Sequence, residues 1–483
     1  MNIEAIIGLE IHLQLNSPTK MFCDCPNVPA GPPNLNTCPT CLWLPGAIPR
    51  FSRNVLEKAV LLCLSLHCEI QHESAFDQKV YYYPDLPKGF QLSQFHKPLS
   101  KNGWLNIVSE ADKPKRLRIR KIHMEEDVAR LVHEAEDHKQ ISLVDFNRAG
   151  APLVEIVTEP DMRSSYDAME FLKVLRRQVR YSGSSDCSME QGTMRVDANV
   201  SIRRAGSLEY NTKVEVKNMN SIRNVGDAIE YEIRRQKNSI EKGGEIILHT
   251  RLWDEVKKIT SPMRGKFEGP CIPDPTVSRI VITQDWLNEM KARLPEMPDK
   301  KISRFIKEYG LSGEEAALVS SEPELSLYFE DTVKKGAPPR TAVHWLTAQM
   351  TACIKEKGLS IGNVPVSAEN FANLLCMLER NEITSKTAKK MLSKMFETDK
   401  TPEQIVKELD LKQVSDRNEL KTLVEKLLAH NHDAVESVKN GKSKAMDFLV
   451  GQAMRESGGK ANPRIIQEII AQKLKEQRSS FKN

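Results

Sequence analysis

Four cysteines near the N-terminus have a spacing that suits a bound metal ion. Cys23 and Cys25 are separated by one residue, Cys38 and Cys41 by two, and twelve residues lie between the pairs. Four thiolates complete a tetrahedral coordination shell and leave no open position for a substrate. The pattern therefore predicts a structural zinc knuckle over residues 23–41, with free or disulfide-paired cysteines as the alternative.

A second set of side chains has the chemistry of a magnesium site. Glu10 and His12 lie two apart in an alternating segment, so they share one face of a predicted strand. Glu125 belongs to an acidic run at the end of a strand-like segment, and Glu155 stands alone among apolar residues. A lone carboxylate in such a run is costly to bury, so Glu155 either faces solvent or binds a partner. Carboxylates with one imidazole suit magnesium, whereas a plain surface strand and an acidic loop are the alternatives.

The composition limits the classes of protein that carry these residues. Of the 483 residues, 28% are charged and 40% are hydrophobic, which is typical of a soluble globular chain. No apolar run reaches the roughly 18 residues of a membrane-spanning helix, so no membrane segment is predicted. The N-terminus lacks a basic and apolar signal pattern, and the sequence therefore predicts a cytoplasmic protein with reduced thiols.

The net charge of +5 is concentrated at the C-terminal end. Residues 437–483 contain ten Lys or Arg and four Asp or Glu, a net +6 that leaves −1 for the rest of the chain. A basic terminal segment on a near-neutral body indicates a polyanionic partner. A solvated, Lys-rich helix has the same composition and remains the alternative.

The elements that must position the two sets of ligands divide into three predicted domains. Residues 1–294 show mixed strand and helix patterns, residues 295–407 show helical periodicity, and residues 408–483 form a second helical segment. The fold class is therefore α+β, with the strands confined to the first domain. The common phosphate-binding loops are absent, because the P-loop pattern that ends at residues 441–443 has Glu436 in place of its first glycine. Any bound ATP would then be held by a metal ion and basic side chains on a sheet.

Several sequence blocks, in order along nearly the whole chain, resemble one known family. The blocks are residues 7–12, 76–95, 123–127, 143–148, 152–161, 195–201, 212–221, 441–446 and 460–463. In these blocks the chain resembles the GatB/GatE family, whose members include the B subunits of the aspartyl/glutamyl-tRNA amidotransferases. These glutamine-dependent enzymes are heterotrimers of an amidase subunit, the B-type subunit and a small third subunit.

The resemblance implies a fold and a reaction. The expected fold is an N-terminal cradle around an antiparallel sheet, akin to glutamine synthetase and guanidino kinases, followed by an all-α domain and a small helical tail that binds tRNA. With ATP and magnesium, the family phosphorylates the side-chain carboxylate of Glu or Asp misacylated on tRNA(Gln) or tRNA(Asn). Ammonia from the amidase subunit then displaces phosphate. Zinc in the knuckle is expected to be structural, since some members of the family lack it.

The resemblance also implies roles for individual residues. Glu10, His12, Glu125 and Glu155 match the family's magnesium ligands, and the first three are expected to be catalytic together with two lysines near the ammonia route, Lys79 and Lys88. A predicted hairpin over residues 195–217 supplies further candidates of lower rank. These are Asp197 and Glu215 for another ion, and Arg195 and Lys213 for offsetting phosphate charge.

One segment departs from the family pattern. After Met263 and Arg264 the family usually has an aromatic and arginine-rich block, whereas residues 265–274 read GKFEGPCIPD. This difference gives some support to an alternative function, a non-catalytic tRNA-binding scaffold in the same complex. The acidic set at positions 10, 125 and 155 argues against a scaffold. The sequence does not decide between Glu and Asp as the substrate.

Overall fold

The structure is a computed structural model that describes residues 3–28, 31–136, 139–263, 269–408, 417–439, 443–457 and 463–480. Most of the family-divergent segment after Met263, the end of the P-loop-like pattern at 441–442 and the block at 460–462 lie outside these residues. The chain divides into two compact units, Met1–Pro298 and Asp299–Asn483. The predicted boundary near 295 is close to this division, and the predicted boundary near 408 adjoins a segment that the structure does not describe. The three-domain organisation therefore stays a prediction.

The first unit is built on one large sheet. Its strands are β1 (Ile3–Gln14), β2 (Glu69–Ile70), β3 (Glu73–Val80), β4 (Phe90–Lys97), β5 (Ser100–Val108), β6 (Pro114–Glu126), β7 (Arg130–Glu136), β8 (Lys139–Asp145), β9 (Pro152–Thr158), β10 (Met194–Arg204), β11 (Val214–Lys217), β12 (His249–Asp254), β13 (Ile259–Pro262), β14 (Cys271–Pro273) and β15 (Ile280–Val281). The order across the sheet is β13-β12-β11-β10-β1-β9-β6-β4-β3-β14, with β5 beside β6 and β15 beside β3. Strands β7 and β8 form a separate hairpin.

The predicted sheet direction needs one correction. The pairs that join β10, β1, β9, β6, β4 and β3 are antiparallel, as expected. The pair β11 and β12 is parallel, because the chain passes through a long helix between them before it returns to the sheet. The sheet is therefore mixed at the edge that carries the predicted hairpin, and antiparallel around β1.

Strand β1 confirms the alternation that the sequence predicts. Leu9, Ile11 and Leu13 are buried against the core, whereas Glu10 and His12 are partly exposed on the opposite face. Because β1 lies between β10 and β9 in the middle of the sheet, its polar face is flanked by strands on both sides. One face of the sheet thus carries the core and the other carries the charged side chains.

Helices cover the apolar face of the sheet. They are α1 (Arg53–Ser65), α2 (Ser165–Tyr181), α3 (Ile222–Glu241) and α4 (Gln284–Arg293). The Ser164 hydroxyl accepts a hydrogen bond from the Asp167 amide, and Ser221 caps α3 in the same way through Asn224. Their buried apolar residues join those of β1, β6 and β10 in one continuous core.

The second unit is helical in its described residues. Its helices are α5 (Pro298–Tyr309), α6 (Gly313–Val319), α7 (Pro323–Lys334), α8 (Pro339–His344), α9 (Thr351–Glu356), α10 (Ala368–Glu379), α11 (Ser385–Met395), α12 (Pro402–Glu408), α13 (Arg417–His430), α14 (His432–Lys439), α15 (Ser443–Glu456) and α16 (Pro463–Ser480). Buried apolar side chains form one cluster between Phe305 and Val406 and another between Leu420 and Leu474. Among the helices described here, none is long and apolar enough to cross a membrane.

Candidate functional site

The polar face of the sheet brings together three of the four predicted magnesium ligands. His12 on β1 pairs in register with Glu155 on β9, and Glu155 pairs in turn with His123 on β6. Glu125 lies two residues beyond His123 on the same strand and therefore on the same face. Three adjacent strands thus place an imidazole and two carboxylates side by side.

The distances within this group are short. The Nε2 atom of His12 lies 3.2 Å from Oε1 of Glu125 and 3.7 Å from Oε2 of Glu155. One donor atom from each of the three residues lies within 4.8 Å of the others. We call His12, Glu125 and Glu155 the sheet-face triad.

The charges of the triad are mutually dependent. Burial by itself lowers the pKa of His12, but its hydrogen bond with Glu125 and the two neighbouring carboxylates raise the pKa to about 9. Burial by itself raises the pKa of Glu155, yet His123, His12 and Lys79 together bring that pKa well below its usual value. Two ionised carboxylates that face one imidazole nitrogen make a site for positive charge, whether that charge is a proton or a metal ion.

The donor set of the triad fits a magnesium ion. Two carboxylate oxygens and one imidazole nitrogen fill three positions of an octahedron and leave the rest for water or substrate phosphate oxygens. Glu125 is 4% exposed, so its charge needs a partner within the fold. The residues present are therefore compatible with an open, catalytic type of metal centre.

Glu10, the fourth predicted ligand, is not part of the triad. Its carboxylate accepts a hydrogen bond of 2.9 Å from the side-chain amide of Asn199 on β10. It lines a neighbouring cavity of about 300 Å³, together with Arg120, Lys213 and Tyr210. Because this cavity is on the same face of β1 as His12, Glu10 lies beside the triad rather than within it.

The two predicted lysines have different surroundings. Lys88 is buried, its ammonium pairs with Glu126, and its Nζ lies 5.5 Å from the ring centres of both Trp43 and Phe90. Lys79 on β3 is near enough to Glu155 for its charge to lower the pKa of that carboxyl. Lys88 thus already has a carboxylate partner, and the role of both lysines near an ammonia route stays a prediction.

The four lower-rank candidates also lie on the polar face. Asp197 and Glu215 share the ammonium of Lys217, at 2.7 Å and 2.9 Å. Arg195 pairs with Asp127 at 2.9 Å, next to the acidic end of β6. Lys217 thus already neutralises the carboxylates that the sequence suggested for a second ion, and Arg195 borders the triad from β10.

The predicted knuckle forms a compact cluster of sulfur atoms. The Sγ atoms of Cys23, Cys25, Cys38 and Cys41 lie within 4.8 Å of one another, and all four residues are free thiols. The amide of Cys38 donates a hydrogen bond of 3.1 Å to Sγ of Cys41. A hydrogen bond from Cys23, together with the nearby Lys20 ammonium, lowers the pKa of Cys41 to about 5 although burial opposes this. Four convergent sulfurs with one stabilised thiolate fit a tetrahedral metal ion such as zinc.

Some residues of these sites were not predicted from the sequence. His123 contacts Glu155 at 3.0 Å, and its position two residues before a predicted ligand in one strand was the available signal. Asn199 and Lys217 are polar residues of the predicted hairpin, but their partners depend on strand register. Lys20 gave no signal, because a lysine in a loop is normally exposed.

Taken together, the fold and its side chains define an α+β protein with an open donor set on a sheet face and a closed thiol cluster beside it. Two family descriptions match the chain: the GatB/GatE catalytic domain over residues 5–288 and the GatB domain over residues 327–474. The chain therefore belongs to the GatB/GatE family.

Curated relatives match over almost the full chain. One is the B subunit, numbered 1, of the aspartyl/glutamyl-tRNA(Asn/Gln) amidotransferase of Syntrophus aciditrophicus, which is 57% identical over 474 residues, covering 98% of this chain and 99% of that protein. The corresponding B subunit of Carboxydothermus hydrogenoformans is 43% identical over 475 residues, with 98% of each chain covered. The B subunit of Persephonella marina is 42% identical over 479 residues, covering 98% of this chain and all of its own length.

Proposed function

We propose that this chain is the subunit of a glutamine-dependent tRNA amidotransferase that activates and amidates the amino acid. Its substrates are ATP and Glu-tRNA(Gln) or Asp-tRNA(Asn), and its products are Gln-tRNA(Gln) or Asn-tRNA(Asn). The names of the curated relatives, which describe the B subunits of such enzymes, support this role. The observation that carries the proposal is the sheet-face triad, since a scaffold has no use for two carboxylates turned towards one imidazole.

The reaction needs two transfers. A carboxylate oxygen of the substrate attacks the γ-phosphorus of ATP, the bond from that phosphorus to the β,γ-bridging oxygen breaks, and ADP leaves with the electron pair. Ammonia then attacks the carbonyl carbon of the acyl phosphate, inorganic phosphate leaves, and the new amide loses a proton. Phosphorylation is necessary because an oxide is a poor leaving group from a carboxylate.

The residues of the polar face have distinct tasks in this proposal. His12, Glu125 and Glu155 would hold magnesium, which when bound neutralises the phosphate oxygens and allows two anions to approach. Arg195, fixed by Asp127, offsets further phosphate charge from the β10 side. Glu10 and Lys213 line the adjoining cavity, where they can orient a substrate group by hydrogen bonding.

The fold and the partners follow from the same assignment. We assign the sheet with its covering helices to a cradle akin to glutamine synthetase and guanidino kinases, and the C-terminal helices to tRNA binding. The amidase subunit would release ammonia from glutamine, and the small third subunit would complete the heterotrimer. The thiol cluster would hold zinc as a structural ion.

A transamidation assay tests the proposal. The chain is copurified with its amidase and small partner subunits and supplied with glutamine, ATP, magnesium and misacylated Glu-tRNA(Gln) or Asp-tRNA(Asn). We expect conversion of Glu to Gln or of Asp to Asn on the tRNA, with ATP hydrolysed in step. Tight tRNA binding without conversion of either substrate would refute the catalytic role and favour the scaffold.

A further inference from the structure

A lysine next to the thiol cluster is buried to an unusual degree. Lys20 is 1% exposed, although it lies in the loop that follows β1. Its Nζ atom donates a hydrogen bond of 2.8 Å to the carbonyl of Asn36 and lies 3.8 Å from Sγ of Cys41. Across the part of the chain that the structure describes, no carboxylate forms an ion pair with Lys20.

A buried ammonium is expensive unless an opposite charge compensates it. A carbonyl oxygen supplies a dipole but no charge, so the compensating charge beside Lys20 is the sulfur of Cys41. A divalent metal ion with four thiolates carries a formal charge of −2, which is also costly to bury alone. The ammonium and the metal-thiolate group therefore solve the same problem for each other.

The position of Lys20 is fixed by its neighbours. The next amide, that of Met21, donates to the carbonyl of Gly150 at 2.9 Å, and the Gly150 amide donates to the carbonyl of Asp127. A Cβ atom added at Gly150 would lie 3.6 Å from Cβ of Cys41 and 3.7 Å from Cδ of Lys20. The lysine stem is thus packed between the thiol cluster and the turn at Gly150, and the ammonium has no freedom to turn to solvent.

We propose that Lys20 is a positioning residue of the metal centre, a built-in counter-charge that stabilises the metal-bound, four-thiolate form of the cluster. This inference rests on the proposed zinc site. It extends that site by one residue, which does not touch the metal ion but determines how tightly the ion is held.

Zinc affinity of the full-length chain tests the assignment. Wild type, Lys20→Met and Lys20→Gln are titrated with zinc under reducing conditions against a chelator of known affinity. Gln keeps a donor for the Asn36 carbonyl but has no charge. We expect both variants to bind zinc about 10- to 100-fold more weakly, the usual effect of removing an outer-shell partner. Lys101→Met, on the exposed side of β5, is the control and should bind as wild type does.

Stability with and without metal separates a charge role from a packing role. With zinc bound, we expect Lys20→Met to unfold at a lower denaturant concentration than wild type. Without zinc, we expect the variant to be at least as stable as wild type, because replacing a buried ion pair by an apolar side chain is often neutral or stabilising. A packing role would lower stability equally in both forms.

Three results would overturn the assignment. Unchanged zinc affinity in Lys20→Met, or wild-type affinity in Lys20→Gln, would show that the charge has no role. An equal loss of stability in both forms would reduce Lys20 to a packing residue. A wild-type chain that binds no zinc would remove the zinc site as well, so this failure is distinguishable from the other two.

Discussion

The thiol cluster and the sheet-face triad are two candidate metal centres built in opposite ways. The four cysteines lie within one segment of the chain, from Cys23 to Cys41, and their sulfurs fill a tetrahedral shell. His12, Glu125 and Glu155 come from three strands that meet only in the folded sheet. The first arrangement is closed and local, as a structural ion requires, and the second is open and depends on topology, as a site for substrate phosphates requires.

The difference between the centres should be largest in catalysis. Glu125→Gln removes a buried negative charge from the triad and the partner of His12, so we expect amide formation to fall by about a thousandfold, equivalent to about 4 kcal/mol of transition-state stabilisation. The measurement is the transamidation rate of the purified complex, with the circular dichroism spectrum as a check on folding. Glu134→Gln, an exposed glutamate on β7, is the matched control. Near-normal turnover in Glu125→Gln would remove the triad from the mechanism.

Loss of the thiol cluster should have a local effect instead. Cys38→Ser leaves three thiolates, and we expect amide protection over residues 20–48 to fall by about a hundredfold, or about 3 kcal/mol, because metal binding there is coupled to folding. Protection of β1 should stay, since its apolar side chains belong to the large core. Hydrogen exchange resolved by peptide measures both. Uniform loss of protection across the sheet would show that the two centres are not separate.

The membership of the triad can be sharpened by comparing two glutamates. Glu155 faces His12 and His123, whereas Glu10 is bonded to Asn199. We expect Glu155→Gln to weaken binding of manganese, used as a probe for magnesium, by about 10- to 100-fold. Glu10→Gln should change it by less than about threefold, since the amide can still bond Asn199. Titration followed by electron paramagnetic resonance gives both constants, and equal losses would return Glu10 to the ligand set.

The two centres also differ in how far the sequence predicted them. The cysteine spacing alone placed four sulfurs together, because two short turns bring the pairs into contact. The alternation in β1 correctly placed Glu10 and His12 on one face. It did not show that the register of β9 aligns Glu155 with His12, or that Asn199 takes the carboxylate of Glu10. Register and partner choice arise from contacts between residues more than 100 positions apart, which local patterns do not contain.

The parallel pair of β11 and β12 escaped prediction for the same reason. A hairpin is encoded by its turn, but the return of the chain to the sheet after α3 is decided by where that helix packs. Lys20 shows the converse limit. Its burial follows from the cluster that it adjoins, so a residue type that is normally exposed gave no sign of its position.

The smallest expected effect concerns the connection between the centres. Trp43 follows the last cysteine, and the ammonium of Lys88 lies against its ring while pairing with Glu126, the neighbour of Glu125. If this contact links the cluster to β6, Trp43→Leu and Lys88→Met should not be additive. We expect a coupling free energy of about 1 kcal/mol in a double-mutant cycle of denaturant unfolding, the size of a partly desolvated cation–π contact.

A matched cycle calibrates this coupling. Leu44 lies next to Trp43 but is largely exposed, so Leu44→Ala combined with Lys88→Met should be additive within the error of the method. Coupling at Trp43 without coupling at Leu44 would mean that the closed centre supports the strand on which the open centre is built. Additivity in both cycles would make the thiol cluster an independent module, and the contrast between the two centres would then extend from their construction to their energetics.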